Sequence, residues 1–199
     1  IAGGDPTGEV RRLSAATRSK LLAAGTNRIA AALRRHGIEA AAIAALRPLT
    51  PGQEPLVGIA SERPDEAAEG CVLLLRGLAV PPPVPVLQRR GIAGVVSERP
   101  LRAALEIARA GLPLWQGDGR ASFDLAGRML FGDRHGMIAF PAALADTVAD
   151  EAEEAMAYEE FVAEQVSAGG GVYGLHIPSG DGARRAFEQW RRLRKGPAG

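Results

Sequence analysis

Cys71 is the only cysteine in the 199-residue chain, so no intramolecular disulfide can staple it, and its setting in the apolar run CVLLL predicts a buried small hydrophobe. With no cysteine pairs to oxidise and no signal pattern read at the start, a cytoplasmic location is expected. No apolar run approaches the ~20 residues a bilayer-crossing helix needs, so no membrane partner is expected. Aromatic residues make up 5% and do not interleave with basic ones, which argues against a base-stacking sheet. Charge of one sign is missing too, with 24 Lys and Arg against 23 Asp and Glu. Without a global field, nucleic acid is not an expected partner. His36, His135 and His176 lie far apart with no i, i+4 pair, which speaks against a histidine zinc site. Ser61, Ser97 and Ser122 lack the GxSxG elbow of a serine hydrolase, and no glycine run follows a strand and opens a helix as a Rossmann turn would.

The composition, 46% hydrophobic and 24% charged, suits one domain with its own core. Residues 1–12 read as a flexible lead-in. Ser14 is placed to cap a helix running to about Ala24, and Thr26 or Asn27 to cap a second that Gly37 ends. Between residues 38 and 63, Pro48, Pro51, Gly52 and Pro55 break the apolar segments into short strands and turns. Residues 71–75, 94–96 and 113–115 have the apolar runs of buried strands, with a helix over Leu101–Ala110 stopped by Gly111. Four prolines in positions 81–85 predict a polyproline connector before a brief turn at Val86–Arg90. Arg128–Phe131 and Met137–Phe140 should form a hairpin around GDRHG. A long helix follows from Pro141 to Ala168, its stripe running through Leu144, Val148, Ala152, Ala155, Met156, Phe161, Val162 and Val166. It carries eight acids and no Lys or Arg, whereas the final segment, ARRAFEQWRRLRK, is basic. Either both faces are solvated, or they meet within one subunit or across an interface. Phe187 and Trp190, three apart, would anchor the last helix.

The succession GRMLFGDRHGMIAFP, acidic helix and EEFVAEQVSAGGGVYGL resembles the regulator-of-ribonuclease-activity A-like (RraA-like) proteins. That family includes divalent-metal aldolases and decarboxylases of small keto acids. The likeness extends to LSAATRSKLLAAGTNRIAAALRRHGI and LRPLTPGQEPLVGIA near the start, and to GIAGVV and LRAALEIARAGLPLW in the middle. It implies an α/β fold, a swivelling β/β/α sandwich akin to the phosphohistidine domain. One domain would span 13–195 with a long C-terminal helix, followed by a 196–199 tail. It also implies a homo-oligomer, a trimer, with sites between subunits.

In the family, a strand ends in Asp-Gly and is followed by an Arg-Asp pair. The Arg grips the keto acid's carboxylate and the Asp helps hold the cation that stabilises an enolate. The matching stretch here is SERPLRA: Arg102 stands at the family Arg, Ala103 replaces the metal-holding Asp, and Glu98-Arg99 replace Asp-Gly. The family's glycine-rich loop falls on residues 77–87, where the proline run offers no N–H to an anion. The expectation is a divergent RraA-like protein that has lost ordinary metal chemistry and needs no metal or cofactor. It would be an oligomeric module binding a small carboxylate or a protein partner, the latter through the acidic face 146–164. As a metal-independent enzyme it would use Arg102 as anchor and Glu98, Glu106 or a residue of a neighbouring subunit as base. Glu98 would then need a raised pKa, which burial can supply. A plain surface ion pair of Glu98 with Arg102 is the competing reading of the same residues. The alternative function is the Mg²⁺ or Mn²⁺ lyase itself, a class II aldolase or oxaloacetate decarboxylase acting on 4-hydroxy-2-keto acids.

Overall fold

The computed structural model describes residues 12–39, 41–65, 67–77, 79–120, 122–169 and 181–194. Ser14 accepts a hydrogen bond from the Thr17 amide at 3.0 Å and starts α1 (Ala15–Arg35), supplying the acceptor that a helix's first amides lack. Gly25, at φ 75° and ψ 168°, breaks α1 into the two halves expected, and Gly37, at φ 69°, ends it. The break is held from afar, because the Asp133 carboxylate accepts from the Thr26 amide at 2.9 Å and from its hydroxyl at 2.7 Å.

The strands are β1 (Ala41–Ala42), β2 (Arg47–Pro48), β3 (Leu56–Ser61), β4 (Val72–Leu75), β5 (Gly94–Ser97), β6 (Leu114–Gln116), β7 (Arg128–Asp133) and β8 (Gly136–Pro141). They form one sheet in the order β1-β8-β7-β3-β4-β5-β6-β2. The run from β3 to β6 is parallel, and the β3–β7, β7–β8, β8–β1 and β6–β2 pairs are antiparallel. Ala42 and Arg47 sit on opposite outer strands, yet the chain between them can span at most roughly 18 Å. The sheet must therefore curl until its edges approach.

Side chains alternate across the curled sheet with the period of two that strands impose. Leu56, Val72, Leu74, Val96, Trp115, Leu130 and Ala139 point inward and pack with Ile43, Leu46 and Met137. Val57, Met129, Phe131, Ile138 and Phe140 point outward under Leu21, Ile29 and Leu33 of α1 and Val148, Ala149 and Ala152 of α4 (Ala145–Ser167). Leu73, Leu75, Val95 and Leu114 face outward elsewhere and pack beneath Leu87 of α2 (Val84–Arg89) and Ile107 of α3 (Ala104–Arg109). Inside the curl there is no spare room at Gly132, where an added Cβ would lie 2.9 Å from the Trp115 ring. Cys71 is buried as expected, and that burial pushes its thiol up to about 11.

The acidic and basic helices meet within the chain. α5 (Asp181–Arg194) lies on the second half of α4, with Phe187 and Trp190 stacked on each other and both in ring contact with Phe161. Arg191 reaches Glu154, and Arg194 reaches Glu160 and Glu164. On the other flank of α4, Lys20 pairs with Asp150 and Glu153, Arg28 with Glu159, and Arg35 with Glu151, while the Thr17 hydroxyl donates to Asp146. All eight acids of α4 thus have partners inside the subunit: the two charge runs meet within one chain, with most of their side chains still open to solvent.

Three further expectations change. Only residues up to Pro83 stay extended: α2 begins at Val84 inside the proline run, with Pro85 in its first turn, where the missing N–H costs nothing. The helix expected over Leu101–Ala110 is regular only over Ala104–Arg109, preceded by a turn at Arg102 and Ala103, and its first amides have no side-chain cap. On α4 the stripe ends early: Phe161 is buried, but Val166 is 38% exposed beyond the core. Residues 1–11, His176 and the 196–199 tail lie outside the described residues. Among the described residues no helix is long and apolar enough to cross a membrane.

Candidate functional site at the strand ends

Parallel strands aim their carboxyl ends at one edge, and in α/β sheets ligands bind there. In this chain that edge collects Arg76 after β4, Glu98 and Arg99 after β5, and Gly117 to Arg120 after β6. Glu98 is its structural centre. Its Oε2 accepts from the Gly77 amide at 2.9 Å, while Oε1 accepts from the Ser122 hydroxyl at 2.7 Å and the Phe123 amide at 3.2 Å. The next loop closes onto the backbone of the same residue. The Gly119 amide donates to the Glu98 carbonyl at 2.8 Å, and an added Cβ at Gly117 would lie 2.7 Å from that oxygen.

Arg76 reinforces the closure. Its guanidinium donates to the Phe123 carbonyl at 2.7 Å and pairs with Glu62 and Asp124. One carboxylate and one guanidinium therefore tie the loops after β3, β4 and β5 to the 122–124 segment. The space left between Leu74, Arg76, Val96, Glu98, Phe123 and Leu125 is about 10 Å³, barely enough for one water.

These contacts reverse the expectation for Glu98. Burial pushes its pKa up, but the Ser122 hydroxyl, the Gly77 and Phe123 amides and the Arg76 charge all favour the carboxylate, and the net shift is downward. A base that holds its proton less readily than an ordinary glutamate is poorly tuned for abstraction near pH 7. The competing ion pair is not formed either, since Glu98 is paired elsewhere and Arg102 is exposed with no carboxylate partner among the described residues. Arg102 lies in the turn between β5 and α3, and Ala103 is the residue that opens α3. Arg99, also exposed, lies over Gly119. Its loop is shaped by the buried Ser97, whose hydroxyl donates to the Arg99 carbonyl at 2.7 Å. Glu106 is exposed on α3, off this cluster of contacts.

A hard divalent cation needs several oxygens converging on one point. The residues here do not fit one: Ala103 has no ligand atom, both Glu98 oxygens are taken by donors, and among the described residues no three His, Cys, Asp or Glu converge. The sequence singled out Arg102 and Glu98 but not Arg76 and Ser122, which hold the loops around Glu98. An Arg directly after an apolar strand was the available signal for the first, whereas Ser122 sits in a polar loop that carries none.

No family model matches the chain, and no curated protein does. Solved structures do. An unusual member of the RraA family of RNase ES inhibitors from Streptomyces coelicolor superposes with a TM-score of 0.58 at 20% identity, covering 76% of this chain and 97% of its own. The fold is RraA-like. An uncharacterised protein from Pseudomonas syringae pv. tomato shares it at TM-score 0.61 and 16% identity, covering 84% of this chain and all of its own. A structure described among novel cellulases from gut-associated microbes also matches, at TM-score 0.60 and 13% identity over 77% of this chain and 90% of its own. At such identities the likeness speaks for the RraA-like scaffold alone.

Proposed function

We propose that this RraA-like chain is a binding module for a small carboxylic acid, held at the strand ends by Arg102 with Arg99 and without a divalent cation. The observation that carries this reading is the distribution of charge around SERPLRA. Glu98, the one acid of the segment, has its carboxylate engaged by the Gly77 and Phe123 amides and the Ser122 hydroxyl, while Arg99 and Arg102 stay exposed without a carboxylate partner among the described residues. Guanidinium groups left in that state favour a planar carboxylate, which they can grip in bidentate fashion. The reading is favoured over docking of a protein on the acidic helix because each acid of α4 already has a partner inside the subunit. A homo-oligomer, a trimer, would place a neighbour's surface against this exposed edge and complete the pocket.

Calorimetric titration of the full chain with oxalate and pyruvate in EDTA tests the proposal. Binding should survive chelation and weaken about tenfold in Arg102→Ala, as loss of a charge-assisted pair implies. The opposite result is Mg²⁺- or Mn²⁺-dependent release of pyruvate from oxaloacetate or a 4-hydroxy-2-keto acid, abolished by the same substitution. That would make the chain a lyase and overturn the proposal. A monomeric mass at micromolar concentration would remove the oligomer.

A further inference from the structure

Away from the strand ends, a second cavity of about 550 Å³ lies between α1, the 43–47 segment and the start of β8. Its size falls within the range of small-ligand sites. On α1 it is lined by Thr26, Ala30 and Arg34, spaced four apart and so on one stripe of the helix. The middle residue is small and leaves the space open. Opposite, the edges of the otherwise buried Ile43, Leu46, Met137 and Ile138 make an apolar floor, beside Gly136, where an added Cβ would meet nothing within 4 Å.

The rim is basic. Arg34, Arg47 and His135 line it against a single lining acid, Glu39. Arg47 is fixed rather than trailing in solvent, because its guanidinium donates to the Ala44 and Leu46 carbonyls of its own turn. Arg34 has no carboxylate partner among the described residues, whereas Arg28 and Arg35 on the same helix are both paired with α4. Asp133, which contacts the lining residues Thr26 and His135, is occupied by the Thr26 amide and hydroxyl and the His135 amide. The Arg134 guanidinium donates to His135 Nε2, which leaves Nδ1 as that ring's other polar atom.

The geometry points to a second ligand site here, one that takes an organic anion with an apolar body, its carboxylate or phosphate between Arg34 and Arg47 and its chain on Ile43, Leu46, Met137 and Ile138. Few convergent polar groups over an apolar floor are what orient such a ligand. The site owes nothing to Arg102.

The test is calorimetric titration of the full chain with octanoate, with octyl phosphate and with uncharged 1-octanol. At least one anion should bind, about tenfold or more tighter than octanol, and the stronger of the two identifies the headgroup. Arg34→Ala and Arg47→Ala, both exposed changes, should each weaken that anion about tenfold with the thermal midpoint unmoved. Ala30→Phe should block binding by filling the cavity. Arg102→Ala should leave the affinity within about twofold, which separates this site from the one proposed at the strand ends. Octanol binding as tightly as the anions, indifference to both arginine changes, or no binding at millimolar anion overturns the inference.

Discussion

Behind β3, β7 and β8 lie α1 and α4, helices of 21 and 23 residues, whereas β4, β5 and β6 are backed by α2 and α3, of six residues each. The long helices present an apolar stripe over several turns and cover strands whose outward side chains are buried except for the partly exposed Ile59. The short ones bury one or two of their own residues apiece, Leu87 from α2 and Ala104 and Ile107 from α3, and hand the chain to loops. Those loops are held by side chain to backbone hydrogen bonds that converge on Glu98 and Arg76. Apolar burial is non-directional and stabilises bulk, while hydrogen bonds fix geometry at modest net energy. Here the half that carries the stability is distinct from the half that carries the candidate site, and the two should respond differently to substitution.

The largest effect should come from the layered half. Phe131 is fully buried between β7 and the two long helices, and Phe131→Ala should cost about 3–5 kcal/mol in urea or thermal unfolding. Leu87→Ala, under the six-residue α2, also removes a side chain that is only 1% exposed, but the loops around it can collapse further into the gap. A cost of about 2 kcal/mol is expected there, the low end for such truncations. Equal costs would mean that the short helices are as rigid as the long ones.

The same division decides what could be read from sequence. Ser14, Gly25 and Gly37 are local signals, and the structure honours each, whereas Pro141 ends β8 and the helix expected from it begins as α4 only at Ala145, after one 3-10 turn. The hairpin around GDRHG is local as well. By contrast, β1 and β2 are two-residue strands that exist only because β8 and β6 lie beside them, and no pattern of two residues announces that. Pro85 misled because four prolines suggest an extended chain, although any one of them is tolerated in a helix's first turn. Arg102 and Glu98 were visible as residues, but the sign of the Glu98 shift was not. It depends on amides and a hydroxyl 21 to 25 positions away, which only the closed loops bring together.

Glu98 gives the intermediate effect. Its folded pKa is depressed below the ordinary glutamate value of about 4.3, so its stabilisation is present above that value and is lost as pH falls through the folded pKa. Glu98→Gln should lower stability by about 1–2 kcal/mol at pH 7, the scale of losing charge-assisted bonds to amides and a hydroxyl. The gap between wild type and variant should narrow once pH falls below the unfolded value and close as it passes through the lower folded pKa. Asp133, whose pKa is also lowered, titrates in the other half, so the variant should keep part of the acid sensitivity. A gap that stays constant down to pH 2 would mean that the Glu98 charge does not hold the loops.

The smallest effect belongs to the many ion pairs on the layered half. Arg28 meets Glu159 through Nε and Nη2 and also donates to the Ala24 carbonyl beside the Gly25 break, so it is the best placed of them. Yet the Arg28 side chain is 37% exposed and the Glu159 side chain 56%, and water and salt screen pairs so placed. A double-mutant cycle of Arg28→Ala with Glu159→Ala should return a coupling of about 0–1 kcal/mol that fades in 1 M salt. The acids of α4 would then orient α1 and α5 without anchoring them, leaving the anchoring to Leu21, Ile29, Val148 and the Phe161 cluster. A coupling above about 2 kcal/mol would instead make this half electrostatically held, and its contrast with the hydrogen-bonded loops around Glu98 would disappear.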